Sequence, residues 1–342
     1  MTASVARRSL IAIAIAALTA LVTLLIALLL TGSTQPGQFS DPGAVVRWGT
    51  PVVKLIMNFS MAITIGSLAF SAFAANPEQQ KRLQPIASWA AAIWLLSAAS
   101  YFVMTYLSAA GITISYGPEF SSGLWLFATE IELGVLLAWN LAFAFILSLS
   151  TIMFPSGRMI AVNTALGIAG LYPLAESGHA SSDIGHAIAV NSMLMHLVGI
   201  SVWVGGLIAL FAIYFDEPDK RSVLVKRYST LALFAFILVA ISGLTGGFIR
   251  LYQPSDLLSS YGLLLITKAA VLVVLGCFGA WHRLKLIRSI ESGSSSFIRI
   301  VGVEIAIMGI ALALATALAR TAPPINPAQF EALTPAQILT GD

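Results

Sequence analysis

Along most of this chain, uncharged apolar runs of about 20 residues follow one another, and that pattern decides what the chain can fold into. One such run crosses the roughly 30 Å hydrocarbon core of a bilayer as a single helix, and in lipid only helices and closed barrels satisfy every backbone polar group. The first run covers 10–30. Eight more fall near 51–75, 86–108, 123–150, 159–178, 190–215, 228–250, 262–284 and 300–319. The expected fold is an all-α polytopic membrane protein, a bundle of about nine transmembrane helices. Composition agrees: of 342 residues only 10% are charged, against about a quarter in soluble domains, and the mean hydropathy is +0.90. The run at 10–30 is longer than the apolar stretch of a signal peptide and no small-residue cleavage site follows it, so it reads as a retained helix.

Charge sets the expected orientation. Most of the 18 basic residues occupy every second connection: Arg7 and Arg8, Lys81 and Arg82, Arg158, then Lys220, Arg221, Lys226 and Arg227, then Arg283, Lys285, Arg288 and Arg299. By the positive-inside rule the N-terminus is cytoplasmic and the C-terminus external, and His179 and His186 lie outside. Three regions follow: a four-helix membrane region at 1–158, a five-helix membrane domain at 159–322, and a tail at 323–342 with Pro323, Pro324, Pro327 and Pro335, read as a linker. The formal charge of +3 is small and serves topology, so no nucleic-acid partner is expected. Cys277 is the one cysteine, which rules out an internal disulfide.

Chemistry concentrates between 179 and 206. His179, His186 and His196 lie there with Met193 and Met195, while residues 1–158 contain no histidine. Imidazole and thioether both bind copper well. The same residues also fit a plainer reading, with histidines in a loop at the water interface and methionines as apolar filler. His196 is expected about four residues inside the outer edge of the sixth helix, with Met193 one turn before it. Glu176, three residues before His179, is placed to orient that imidazole. Two or three ligands rather than four favour monovalent copper over a closed structural zinc site. Ser192, His196, Gly199, Trp203 and Gly206 follow helical spacing along one face.

Other polar groups inside the runs are costly and face a bundle interior, or snorkel. Lys268, about six residues below the outer edge, is expected to pair with a carboxylate across the bundle, and Glu130 has a similar depth. Ser201 with Gly205, Ser242 with Gly246, and Gly243 with Gly247 are small residues four apart, which points to close packing of the sixth and seventh helices. No nucleotide-binding Gly-rich motif is present, so ATP-driven pumping by this chain is not expected. No nucleophile lies beside a base, so an enzyme is not expected either. Two further readings fit the residues. One is a haem-bearing electron carrier: His196 and His282 are some 20 Å apart in depth, but His196 with His179 or His186 stays open. The other is a scaffold that moves nothing.

Several short motifs in order carry a resemblance. Gly178-His179-Ala180, Met195-His196-Leu197 and Val202-Trp203-Val204-Gly205-Gly206 are followed by Lys226-Arg227-Tyr228-Ser229-Thr230-Leu231-Ala232, Ser242-Gly243, Tyr261-Gly262-Leu263-Leu264-Leu265-Ile266-Thr267-Lys268 and Glu304. Over about 178–324 these resemble the copper-resistance D (CopD) family of bacterial membrane proteins, with Tyr228 where the family carries Phe. Gly43-Ala44-Val45-Val46-Arg47-Trp48-Gly49 and the ending Leu333 to Asp342 resemble the first portion of actinobacterial chains in which such a domain is fused to a CtaG-type cytochrome oxidase assembly domain. The resemblance implies copper handling at the cytoplasmic membrane, with His179 and His196 as ligands. It also implies two partners: a periplasmic or extracellular copper-binding protein as donor and a cytochrome oxidase assembly factor.

Overall fold

The computed structural model describes residues 3–37, 40–115, 117–155, 157–177, 186–215, 218–285 and 294–324. Among them it is entirely helical: α1 (Ala3–Thr31), α2 (Ala44–Phe73), α3 (Pro77–Ala110), α4 (Pro118–Thr129), α5 (Glu132–Met153), α6 (Arg158–Ala169), α7 (Tyr172–Glu176), α8 (His186–Ile213), α9 (Arg221–Arg250), α10 (Ser260–Lys285) and α11 (Ser294–Leu318). Among the described residues, nine helical segments are long and apolar enough to cross a membrane: α1, α2, α3, α5, α6 with α7, α8, α9, α10 and α11. The polytopic bundle expected from the apolar runs is therefore present, and its outer surfaces contact lipid.

Two helices organise the packing. α2 lies against α3 on one side and α8 on the other, and α8 continues into close contact with α9. α1 closes the bundle against α11, so the first and last helices are neighbours. One apolar core joins α1, α2, α8, α9 and α11, and a second joins α2, α3, α5, α6 and α8. Ends are set by local chemistry. α3 starts at Asn76, whose side chain accepts from the Gln79 N–H while Gln79 returns a bond to the Asn76 N–H, and Pro77 supplies the preset first-turn geometry. Ahead of α2, Asp41 accepts from the Gly43 N–H and pairs with Arg47, and both contacts hold its carboxyl below the usual carboxylate range.

The α2–α8 crossing depends on glycine. A methyl group built on Gly205 would lie 1.8 Å from the Ala62 carbonyl oxygen, and one on Gly66 would lie 2.4 Å from the Gly205 Cα. Small residues thus let the two backbones meet, as small-x-x-x-small patterns do in membranes. The Ser201 and Gly205 pair faces α2, not the seventh helix as its pattern suggested. The seventh helix, α9, does pack tightly on α8, through Gly199 against Val239 and Gly206 against Tyr228.

One expected span is broken. The run at 123–150 divides at Glu130 and Ile131, where the backbone turns extended and α4 ends. α4 then folds back so that Gly134 lies against the Phe127 carbonyl. Glu130 and Glu132 are therefore exposed residues at helix ends, Glu130 closing α4 and Glu132 opening the span α5, rather than groups in the middle of a span.

Candidate functional site

The sixth span is built as expected, but it starts earlier. α8 begins at His186, so His196 lies ten residues down it, about 15 Å at helical rise. Asn191 and Ser192 are polar yet helical, because Ser192 turns inward and its hydroxyl donates to the Ser242 carbonyl oxygen at 2.9 Å. The face predicted for Ser192, His196, Gly199, Trp203 and Gly206 is the one that meets α9. His196 and Ser192 touch Ser242, Gly199 touches Val239, the Trp203 carbonyl accepts from the Tyr228 hydroxyl at 3.1 Å, and Gly206 touches Tyr228.

His196 is the centre of this site, with 7% of its surface exposed. Its Nδ1 lies 3.0 Å from the Ser242 hydroxyl, and that hydroxyl donates to the Leu238 carbonyl at 2.6 Å. Ser242 therefore accepts from Nδ1–H, which assigns the tautomer and leaves the lone pair on Nε2. The Lys268 ammonium reaches that lone pair from α10, at 3.1 Å. A continuous chain of hydrogen bonds thus runs from Lys268 through His196 and Ser242 to the α9 backbone. An imidazole fixed through one nitrogen, with the other presented, is the arrangement proteins use to hold metal-ligating histidines. Here the presented nitrogen is capped by a lysine.

Beside this pair lies a cavity of about 270 Å³ bounded by α8, α9, α10 and α11. His196 and Lys268 are its ionisable groups, and Trp203, Leu265 and Met308 are among its apolar walls. A second cavity of about 300 Å³ lies further along the bundle, lined by Tyr228, Ser229 and the buried Glu304. The two share Trp203 and Leu275, so the indole, packed edge-on against Phe236 at 5.4 Å, forms part of the partition between them.

The other predicted site residues separate. His186 opens α8, and its Nε2 lies 3.1 Å from Glu176 Oε1. Glu176 also lies beside the Tyr172 hydroxyl. Glu176 thus engages His186, whereas the sequence spacing linked it to His179, which lies outside the described residues. His186 and His196 stand about 15 Å apart along one helix and cannot hold one ion. Met193 is half-buried one turn before His196, and Met195 points outward. The pairing expected between Lys268 and Glu130 does not form: the break before α5 leaves Glu130 at an exposed helix end, and Lys268 takes His196 as its partner. Among the described residues, no group of three or more His, Cys, Asp or Glu side chains gathers to hold a metal. Ser242, whose hydroxyl meets the imidazole, was legible in the sequence only as a small residue for helix contact and as part of the Ser242-Gly243 motif, not as a partner of His196.

Two protein-family models match the chain. "Copper resistance protein D-like, N-terminal domain" covers residues 40–189, and "Copper resistance protein D" covers 222–318. The chain is 32% identical over 159 residues to the copper transport protein CutJ of Bacillus subtilis, a match covering 44% of this chain and 29% of that protein. It is 23% identical over 243 residues to the inner membrane protein YebZ of Escherichia coli, covering 68% of this chain and 83% of the relative. No solved structure matches. Family models over residues 40–189 and 222–318, nine helices among the described residues long and apolar enough to cross a membrane, and an inner-membrane relative lead to one assignment: the chain is a multi-pass bacterial cytoplasmic-membrane protein of the copper resistance protein D family.

Proposed function

We propose that this chain binds copper from the external side and carries it toward the cytoplasm, acting as a carrier rather than as a catalyst. The observation that carries the reading is the imidazole of His196, buried in the bundle, with Ser242 at its Nδ1 and the residue lining a cavity. The family and the copper transport relative support the choice of ion, and the soft, low-coordinate surroundings, with Met193 one turn away, favour the monovalent form. Glu176 and His186, ten residues up α8, form an outer pair that suits first capture. A periplasmic or extracellular copper-binding protein is the proposed donor, and a cytochrome oxidase assembly factor the proposed recipient.

Binding at His196 requires an exchange. Copper needs the Nε2 lone pair that Lys268 occupies, so the ammonium must withdraw before the ion can bind. The affinity of purified protein for Cu(I), measured by competition with a coloured chelator, tests this. His196→Ala is expected to weaken binding at least about tenfold, a loss of roughly 1.4 kcal/mol. Unchanged affinity in that variant removes His196 from the site. Cellular copper accumulation with and without the gene separates carriage from scaffolding, since a scaffold leaves it unaltered.

A further inference from the structure

Lys268 holds a positive charge inside a membrane-spanning helix, and among the described residues no carboxylate pairs with it. Its hydrogen-bond partner is the uncharged Nε2 of His196. The nearest cationic neighbour along α9, Arg250, spends one N–H on the Gly246 carbonyl at 3.1 Å and adds positive charge rather than balancing it. An ammonium in a low-dielectric interior is costly without an opposite charge, and such residues mark binding sites in membrane proteins.

The cavity beside Lys268 has the shape to supply one. Its volume of about 270 Å³ is more than an order of magnitude above what one water needs, and its walls are apolar apart from His196 and Lys268. Its lining includes Leu244, Ile266 and Phe248, whose exposures of 63%, 46% and 80% place them on the lipid-facing surface of α9 and α10. A ligand can therefore enter sideways from the bilayer. Lys268 is eight residues below Ser260, about 12 Å down α10. At that depth a phospholipid phosphate, always charged and tied to its headgroup, is poorly placed, whereas a long-chain acid reaches it in its uncharged, protonated form and carries its charge only beside Lys268.

We propose that this cavity binds a membrane-dissolved long-chain carboxylate, the apolar chain filling the cavity and the oxyanion pairing with Lys268. The site stands whether or not copper binds at His196. Occupation would draw Lys268 toward the oxyanion and away from His196 Nε2.

Native mass spectrometry of the full purified chain, titrated with oleate and in parallel with phosphatidylglycerol, tests the proposal. One oleate is expected to bind, Lys268→Met to weaken it about tenfold or more, and Lys268→Arg to retain it. Ala240→Leu, which narrows the cavity from α9 without touching the charge, is expected to weaken it as well and carries the test if Lys268→Met does not fold. Equal oleate binding by wild type and every folded variant overturns the site. Lys268-dependent binding of phosphatidylglycerol with none of oleate overturns the free carboxylate as its occupant.

Discussion

The two flanks of α2 treat buried polar groups in opposite ways. On the α3–α5 side, the most deeply buried side chains are neutral, and several bond across helices. Asn140 donates to the Gly170 carbonyl at 2.8 Å and accepts from the Trp94 indole at 3.4 Å, Gln84 donates to the Thr151 carbonyl at 2.6 Å, and Ser150 donates to Asn163 at 2.6 Å. On the α8–α11 side, ionisable groups join neutral ones such as Ser192 and Ser242 and border cavities: His196 and Lys268 at one, Glu304 at the other. Neutral pairs within the bundle hold helices together, whereas ionisable groups inside a membrane-spanning bundle are costly and mark functional sites. The contrast sets a frame on one flank against the proposed site on the other, with the α2–α8 crossing as the seam.

Substitutions break or sharpen this contrast, beginning with the seam. Gly205→Leu drives a side chain into the Ala62 backbone and is expected to abolish the folded bundle, read as loss of monodisperse protein on size exclusion. A folded Gly205→Leu protein with wild-type thermal stability contradicts the crossing. On the frame side, Asn140→Ala strands the Gly170 carbonyl and the Trp94 N–H, with an expected cost of about 1–3 kcal/mol, while the surviving folded protein keeps its Cu(I) affinity. Weaker copper binding in that variant would merge the two flanks. On the working side, Lys268→Met uncaps Nε2 and is expected to tighten Cu(I) binding by roughly 1 kcal/mol, about fivefold, where Lys54→Met leaves it unchanged. Looser binding in Lys268→Met would make the lysine a helper and not a competitor.

The smallest effect lies outside both flanks, at Asp41. Its carboxyl is held low by Arg47 and Gly43, so the contribution is fully present above the ordinary carboxylate pKa and is lost as pH falls through the lowered one. Asp41→Asn is expected to lower the Tm slightly at neutral pH and not at all in strong acid. A difference that persists in acid assigns the effect to something other than charge.

Most of the architecture was legible because hydrophobic length is a local property: nine apolar runs became nine spans among the described residues, with starts displaced by up to nine residues at α3 and α5. The start of α8 moved up to His186 because Asn191 and Ser192 are compatible with a helix once Ser192 finds the Ser242 carbonyl. The break at Glu130 and Ile131 carried no proline or glycine to announce it, only Gly134 three residues on, whose close contact with the Phe127 carbonyl is tertiary. The proposed site was half legible. Spacing placed His196 on the correct face and turned Lys268 inward, but their contact joins residues 72 apart in the chain, and no local pattern encodes that. The Ser242 contact with Nδ1 was hidden for the same reason.

Copper K-edge X-ray absorption on protein loaded with one equivalent of Cu(I) tests the central claim most directly, that the Nε2 of His196 exchanges Lys268 for the ion. Imidazole scattering in the wild type, strengthened in Lys268→Met and lost in His196→Ala, is the result this account predicts. An identical spectrum from wild type and His196→Ala would contradict it.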